Sequence, residues 1–274
     1  MEEIREAVER AKASNLSPAE QRVRQWRDWS PSAESSRAPP TDAPLQKFEL
    51  HEAQLRSKRI IADDHAAGRS APFDMLRTQV LQSMDVKDWK FLGVTSPTPG
   101  CGKTVTAINL ALSIARQPER SVLLVDLDLR KPNIASCLGL RPVEDLVSVL
   151  ENRSRLPNAM IEAHIGVHRM MVLPTKSPTA GSSDRMASRA MSNMLRQIRT
   201  DYPSHIVILD LAPVLSSDDV LAILPQVDCM LLVTALGTST VPEIEECNKH
   251  LHSVDIVRVV LNKVPPSNSS YYYY

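Results

Sequence analysis

No stretch of this 274-residue sequence is apolar for long enough to cross a bilayer. The longest runs, such as Val122–Val125 and Cys229–Ala235, fall far short of the ~20 residues a spanning helix needs. Charge of one sign is missing too. Lysine and arginine together number 32, as do aspartate and glutamate, for a formal charge of +0; nothing global draws the chain to nucleic acid or an anionic membrane surface. The opening Met-Glu-Glu-Ile-Arg-Glu lacks the apolar core of a signal peptide, so the chain is expected in the cytosol. Cysteine is sparse and scattered, at Cys101, Cys137, Cys229 and Cys247, and forms no paired zinc-ligand motif. That pattern argues against disulfides and structural zinc.

What is present is 43% apolar content, enough for one large α/β domain with tails. Ile4, Val8 and Ala11 lie at helical spacing within residues 2–13 and predict a short amphipathic helix. The run SPSAESSRAPPTDAP from Ser30 to Pro44 has the composition of a linker. The chain is therefore divided into 1–45 (short helix and linker), 46–265 (the folded domain) and 266–274 (a Tyr-rich tail). Phe48–Ile61 and Phe73–Met84 are apolar-patterned, the second as a helix leading into the core.

Beyond them, short β-rich runs alternate with helical patterns. Strands are predicted at Phe91–Thr95, Val122–Asp126, Met170–Leu173, Ile206–Asp210, Met230–Thr234 and Val257–Leu261. Helices are predicted from Lys103, near Met186–Arg199 and from Val241. Such alternation implies a mostly parallel central sheet flanked by helices, a three-layer α/β fold. Ligands in such folds bind beyond the carboxyl ends of the strands, so chemistry is sought there.

The strand Phe91–Thr95 runs into Ser96-Pro97-Thr98-Pro99-Gly100-Cys101-Gly102-Lys103-Thr104 and then directly into a helix. Gly100 and Gly102 permit the turn that brings backbone amides to phosphate oxygens, and the positive end of the helix favours an anion. Lys103 is expected on the β- and γ-phosphates and Thr104 on Mg²⁺, with Cys101 and Val105 completing the nucleotide-contacting stretch. Pro97 and Pro99 stiffen the loop. The next strand ends VLLVDLDLRKP, which places Asp126 and Asp128 on one side if the strand continues through them. Asp210 ends a third apolar strand, where a carboxylate can order the water shell of Mg²⁺. Asn262 ends the last strand, either as an adenine-reading amide or as a turn former.

PTPGCGKT, VLLVDLDLRKP, VILDLAPVL and VVLNK together resemble the bacterial tyrosine kinases of capsule and exopolysaccharide synthesis. These are of the deviant-Walker P-loop NTPase type that includes the partition ATPases. The likeness covers roughly Ala71 to Pro265, and LLVDLDLRKP is its most specific part. It implies an ATP-dependent kinase using Mg²⁺, in which Asp126 activates a tyrosine hydroxyl, Asp128 and Asp210 hold the metal's hydration shell, and Lys103 and Thr104 bind phosphate and metal. It also implies that Tyr271, Tyr272, Tyr273 and Tyr274 are phosphoacceptors; a sticky aromatic tail is the plain alternative. Tyr202, inside a patterned segment, is read as structural.

The implied partner is a membrane-embedded chain-length regulator of polysaccharide export, of the co-polymerase type, which would hold the chain at the inner face of the membrane. A homo-oligomer is implied as well. The family's self-association helix carries Glu, Arg and Arg at three-residue intervals, however, and reads here Ala71, Asp74 and Arg77. Cys101 stands where the kinases commonly have Glu, either as a small tolerated residue or as a reactive thiol near a helix N-terminus. Two other functions remain open, a nucleotide-switched ATPase and a non-catalytic nucleotide-binding scaffold.

Overall fold

In a computed structural model of the chain, residues 45–61 and 70–265 are described. The predicted helix at 2–13, the linker Ser30–Pro44 and the tail 266–274 lie outside the described residues. The elements follow in the order β1 (Gln46–Glu49), α1 (Glu52–Ser57), α2 (Ala71–Val86), β2 (Phe91–Thr95), α3 (Lys103–Ala115), β3 (Ser121–Asp126), α4 (Ile134–Leu138), α5 (Leu146–Leu150), α6 (Leu156–Ala159), β4 (Ile161–Ile165), β5 (His168–Leu173), α7 (Ser182–Met186), α8 (Arg189–Asp201), β6 (His205–Asp210), α9 (Asp219–Ile223), β7 (Cys229–Ala235), α10 (Val241–His250) and β8 (Asp255–Asn262).

The strands form one eight-stranded sheet in the order β1-β4-β5-β3-β6-β2-β7-β8. All neighbours are parallel except β4 and β5, so β1 and β4 run against the other strands. The central strands β2 and β7 are buried at every residue, as expected where helices cover both faces of a parallel sheet. Alternate residues feed two cores. Leu92, Val94, Leu124 and Ile208 pack with Val80, Met84, Ile108 and Ile114 of α2 and α3 on one face. Phe91, Leu123, Val125 and Leu209 pack with Met194, Leu195 and Ile198 of α8 on the other. The helix read near Met186–Arg199 is two helices. Ser188 caps the second, its side chain accepting from the Met191 amide at 3.1 Å.

Two strands escaped the sequence reading. In β4, Ile161, Ala163 and Ile165 are buried and Glu162 and His164 are not fully so, an alternation followed by Gly166 in the left-handed region at φ 56°. That pattern is a hairpin signal. β1 is short and exposed, and its pairing with β4 is long-range, so no local pattern marks it. Tyr202 is half-buried and packs edge-on against His205, with ring centroids 5.3 Å apart.

Tight central packing gives one expected result. A Cβ on Gly93 of β2 would lie 2.4 Å from Sδ of Met230 and 2.9 Å from a methyl of Leu211, both side chains fully buried. Gly93→Ala should therefore lower stability by about 1–3 kcal/mol through overpacking, to be measured by urea denaturation against the parent.

Candidate functional site

Three adjacent strands, β3, β6 and β2, end together. Asp126 is in register with Asp210, and Asp210 with Val94, so the phosphate loop and two carboxylates meet at one sheet edge. The loop is anchored before it reaches its glycines. Thr95 Oγ1 donates to the Ala212 carbonyl at 2.7 Å, and the carbonyls of Ser96 and Pro97 accept from the amides of Val214 and Leu215. Gly100 and Gly102 sit at φ 87° and 96°, a region that non-glycine residues rarely enter, and α3 starts at the next residue.

Lys103, Thr104, Asp126, Asp128 and Asp210 are all buried. Lys103 Nζ lies 2.7 Å from Asp128 Oδ2, 3.4 Å from Asp210 Oδ1 and 3.3 Å from Thr104 Oγ1. Strand β3 stops at Asp126, so Asp128 does not reach the lysine by strand alternation as the sequence suggested. A turn does the placing, in which Asp128 accepts from the Lys131 amide through both its carbonyl and its side chain. Asp126 Oδ2 accepts from the amides of Asn133 and Ile134, both at 3.0 Å, where α4 begins.

Burial raises the Asp126 carboxyl well above the usual range, reinforced by the Asp210 charge and opposed by the Ile134 amide and Lys103. Burial also raises Asp210, opposed by Lys103 and by a hydrogen bond from Thr104. For Lys103, burial pulls downward, but the charges of Asp210 and Asp128 outweigh it and the net shift is upward. Lys103 is therefore a fixed cation, and burial makes Asp126 and Asp210 hold a proton more readily than exposed aspartates do.

Asp126 Oδ1 and Asp210 Oδ2 are buried with no hydrogen-bond partner among the described residues. Orphaned carboxylate oxygens beside a phosphate-binding loop suit a hard, oxygen-ligated cation such as Mg²⁺. No three His, Cys, Asp or Glu side chains among the described residues are placed to hold a metal on their own. The donor set fits a magnesium that takes the rest of its ligands from Thr104, phosphate and water.

The other predicted residues separate. Asn262 lies beside the loop, with Nδ2 donating to the Cys101 carbonyl at 2.9 Å. Cys101 is buried, its Sγ 3.3 Å from the Thr98 carbonyl and 3.4 Å from Ser239 Oγ. Val105 turns its carbonyl to the Asn109 side chain. Asp74 and Arg77 of α2 face their own chain. Asp74 accepts from Ser113 Oγ at 2.8 Å and pairs with Arg77 and Arg116, while Arg77 also donates to the Ser113 carbonyl. Tyr271–Tyr274 lie outside the described residues.

Sequence reasoning missed two supports. Arg130, next to the acidic motif, pairs with the fully buried Asp219 at 3.1 Å and donates to Ser182, tying the loop after β3 to α7 and α9. Ser239 accepts from the Ala235 amide while it contacts Cys101. Arg130 had a signal, its place directly behind Asp126 and Asp128; Ser239 had none.

Residues 92–273 match the family profile described as the CobQ/CobB/MinD/ParA nucleotide binding domain. Tyrosine-protein kinase YwqD of Bacillus subtilis is 30% identical over 168 residues, covering 61% of this chain and 69% of YwqD. The chain belongs to the bacterial tyrosine-kinase group of this nucleotide-binding family. EpsB of Ralstonia solanacearum is also 30% identical, over 205 residues and 72% of this chain, but the chain spans only 26% of EpsB's length. The kinase domain of Escherichia coli tyrosine kinase ETK superposes with a TM-score of 0.68 at 24% identity, covering 84% of this chain and 95% of that domain, and so shares the fold. Among the described residues, no helix is long and apolar enough to cross a membrane.

Proposed function

We propose that the chain is an ATP-dependent protein-tyrosine autokinase that phosphorylates Tyr271, Tyr272, Tyr273 and Tyr274, and thereby regulates polymerisation and export of an exopolysaccharide or capsule. The supporting observation is the convergence of Lys103 with three buried carboxyl groups beside the phosphate loop.

Backbone amides of Gly100 to Val105 bind the phosphates, and Lys103, already held charged, leaves its carboxylate partners for the β- and γ-phosphates. Thr104, Asp128 and Asp210 would hold Mg²⁺, which would neutralise charge on the transferring phosphoryl group. Asp126 accepts the proton from the attacking phenol. Its raised proton affinity makes it a stronger base than an ordinary aspartate, and the Asn133 and Ile134 amides hold it in place. On this reading 46–265 is the kinase domain, 1–45 is an appendage and 266–274 is the substrate tail. The partner is a membrane-embedded chain-length regulator, which keeps the kinase at the inner face of the membrane.

The test is incubation with γ-labelled ATP and Mg²⁺, with and without the cytoplasmic segment of a candidate regulator. Label in the intact chain should fall to background when Tyr271–Tyr274 are all changed to Phe. Phosphate released to water with no labelled protein in any condition would overturn the kinase reading in favour of a nucleotide-switched ATPase.

A further inference from the structure

The phosphate loop is gripped from the side by the last strand of the sheet. Asn262 ends β8 in register with Ala235, and its carbonyl accepts from the Leu236 amide at 3.0 Å. Lys263 follows in the left-handed region at φ 60°, and its amide donates to Asn262 Oδ1 at 2.8 Å. That contact fixes which way the side-chain amide faces. Were it flipped, Nδ2 would oppose the Lys263 N–H and Oδ1 would oppose the Cys101 carbonyl, two repulsive pairs in place of two hydrogen bonds.

We propose that Asn262 is a positioning residue for phosphate binding: by donating to the Cys101 carbonyl it sets the Cys101–Gly102 peptide and aims the Gly102 N–H into the phosphate cradle. The inference rests on the nucleotide reading above. Every peptide bond among the described residues is trans, so the carbonyl of Cys101 and the N–H of Gly102 point in opposite directions. Holding the carbonyl toward β8 at 2.9 Å turns the N–H away from β8. The same contact explains Gly102 twice over. Its φ of 96° excludes most side chains, and a Cβ there would lie 2.2 Å from Asn262 Nδ2.

The other side of Cys101 is held as well. Its Sγ contacts Ser239 Oγ at 3.4 Å, and Ser239 is tied to the end of β7 through the Ala235 amide. An amide that reads a base edge presents its donor and acceptor together to the base. In Asn262 Oδ1 and one N–H are both engaged within the chain.

The experiment measures Mg²⁺-dependent binding of ATP, GTP and inorganic tripolyphosphate by calorimetry, for the parent chain, Asn262→Ala and the isosteric Asn262→Asp, with the melting temperature of each. Asn262→Ala should weaken all three ligands by a common factor of about five to ten, the worth of one hydrogen bond. Asn262→Asp should weaken them further, because its carboxylate cannot donate and repels the Cys101 carbonyl. The ATP-to-GTP ratio should not change. In ¹⁵N spectra the Gly102 amide should shift on tripolyphosphate binding in the parent and shift less in the variants, which a general loss of stability would not single out. Loss of ATP affinity with tripolyphosphate affinity retained would make Asn262 a base reader and overturn the proposal. If Asn262→Ala does not fold, the Asp variant decides. A parent chain that binds neither ATP nor tripolyphosphate would instead overturn the nucleotide reading on which the proposal stands.

Discussion

Asp126→Asn is expected to slow phosphate transfer to the tail by about 10²- to 10⁴-fold, the worth of a positioned base, while making the protein harder to unfold. The wild-type carboxyl is fully buried, faces the Asp210 charge and has one oxygen without a partner. An asparagine oxygen can still accept from the Asn133 and Ile134 amides, so the hydrogen bonds that place the side chain survive without the charge. The gain in melting temperature should be several degrees, since ~1 kcal/mol corresponds to roughly 2–4 °C in a domain of this size. It should also depend on pH in a stated direction. The folded-state pKa of Asp126 is raised, so below the unfolded value of about 3.9 both states carry the proton and the two proteins should be equally stable. As pH rises above that value the unfolded wild type loses its proton first. The advantage of the Asp126→Asn variant over the wild type therefore grows until the folded carboxyl titrates. Melting curves at pH 4 and pH 7.5 check this; a lower melting temperature for the variant at pH 7.5 would contradict it.

Lys103→Met should lose transfer by about 10²- to 10³-fold, as expected when a preorganised charge is removed from the transition state, but its effect on stability has the opposite sign. The lysine is the counter-ion of Asp128 and Asp210, both buried, at 2.7 and 3.4 Å. Removing it strands those charges at a cost of about 3–5 kcal/mol. Thermal unfolding should show a fall of several degrees or more. Adding Asp210→Asn to Lys103→Met should recover much of that loss without restoring transfer, because the two residues share one interaction. A double variant no more stable than Lys103→Met would refute this account of the charge cluster. The lysine variant thus tests catalysis on a weakened protein, and the Asp126 variant tests it on a strengthened one.

What the sequence made legible follows the physics of each signal. The strands β2, β3, β6 and β7 are near-continuous apolar runs because the sheet is covered on both faces, β3 and β6 end in aspartates and β2 leads into the glycine-rich loop, so both fold class and candidate site could be read locally. β1 could not be, since it has no apolar pattern of its own and gains its place only by pairing with a strand more than a hundred residues away, whereas β4 carried a legible alternation that was overlooked. Asp128 was assigned to the right cluster for an incomplete reason, because a turn rather than a continuing strand carries it there. For Asn262 the contact with the phosphate loop had no local signal. Its partner is a backbone carbonyl in a distant loop, and a carbonyl belongs to every residue. The turn back at Asp74 and Arg77 onto Arg116 and Ser113 was invisible for the same reason, being a contact between helices.

The grip of β7 and β8 on the phosphate loop also sets when the loop matures. The Gly-rich motif is complete once Thr104 has been made, yet its anchors at Ala212, Ser239 and Asn262 are synthesised much later. At ordinary elongation rates Asn262 follows Thr104 by on the order of ten to thirty seconds. For most of that interval the nascent chain carries the motif without the geometry, because β6 and β7, the strands on either side of β2, are not both made until Ala235. Such long-range pairing is slow to form, and here it orders assembly so that competence for nucleotide arrives last, with the sheet's final strand.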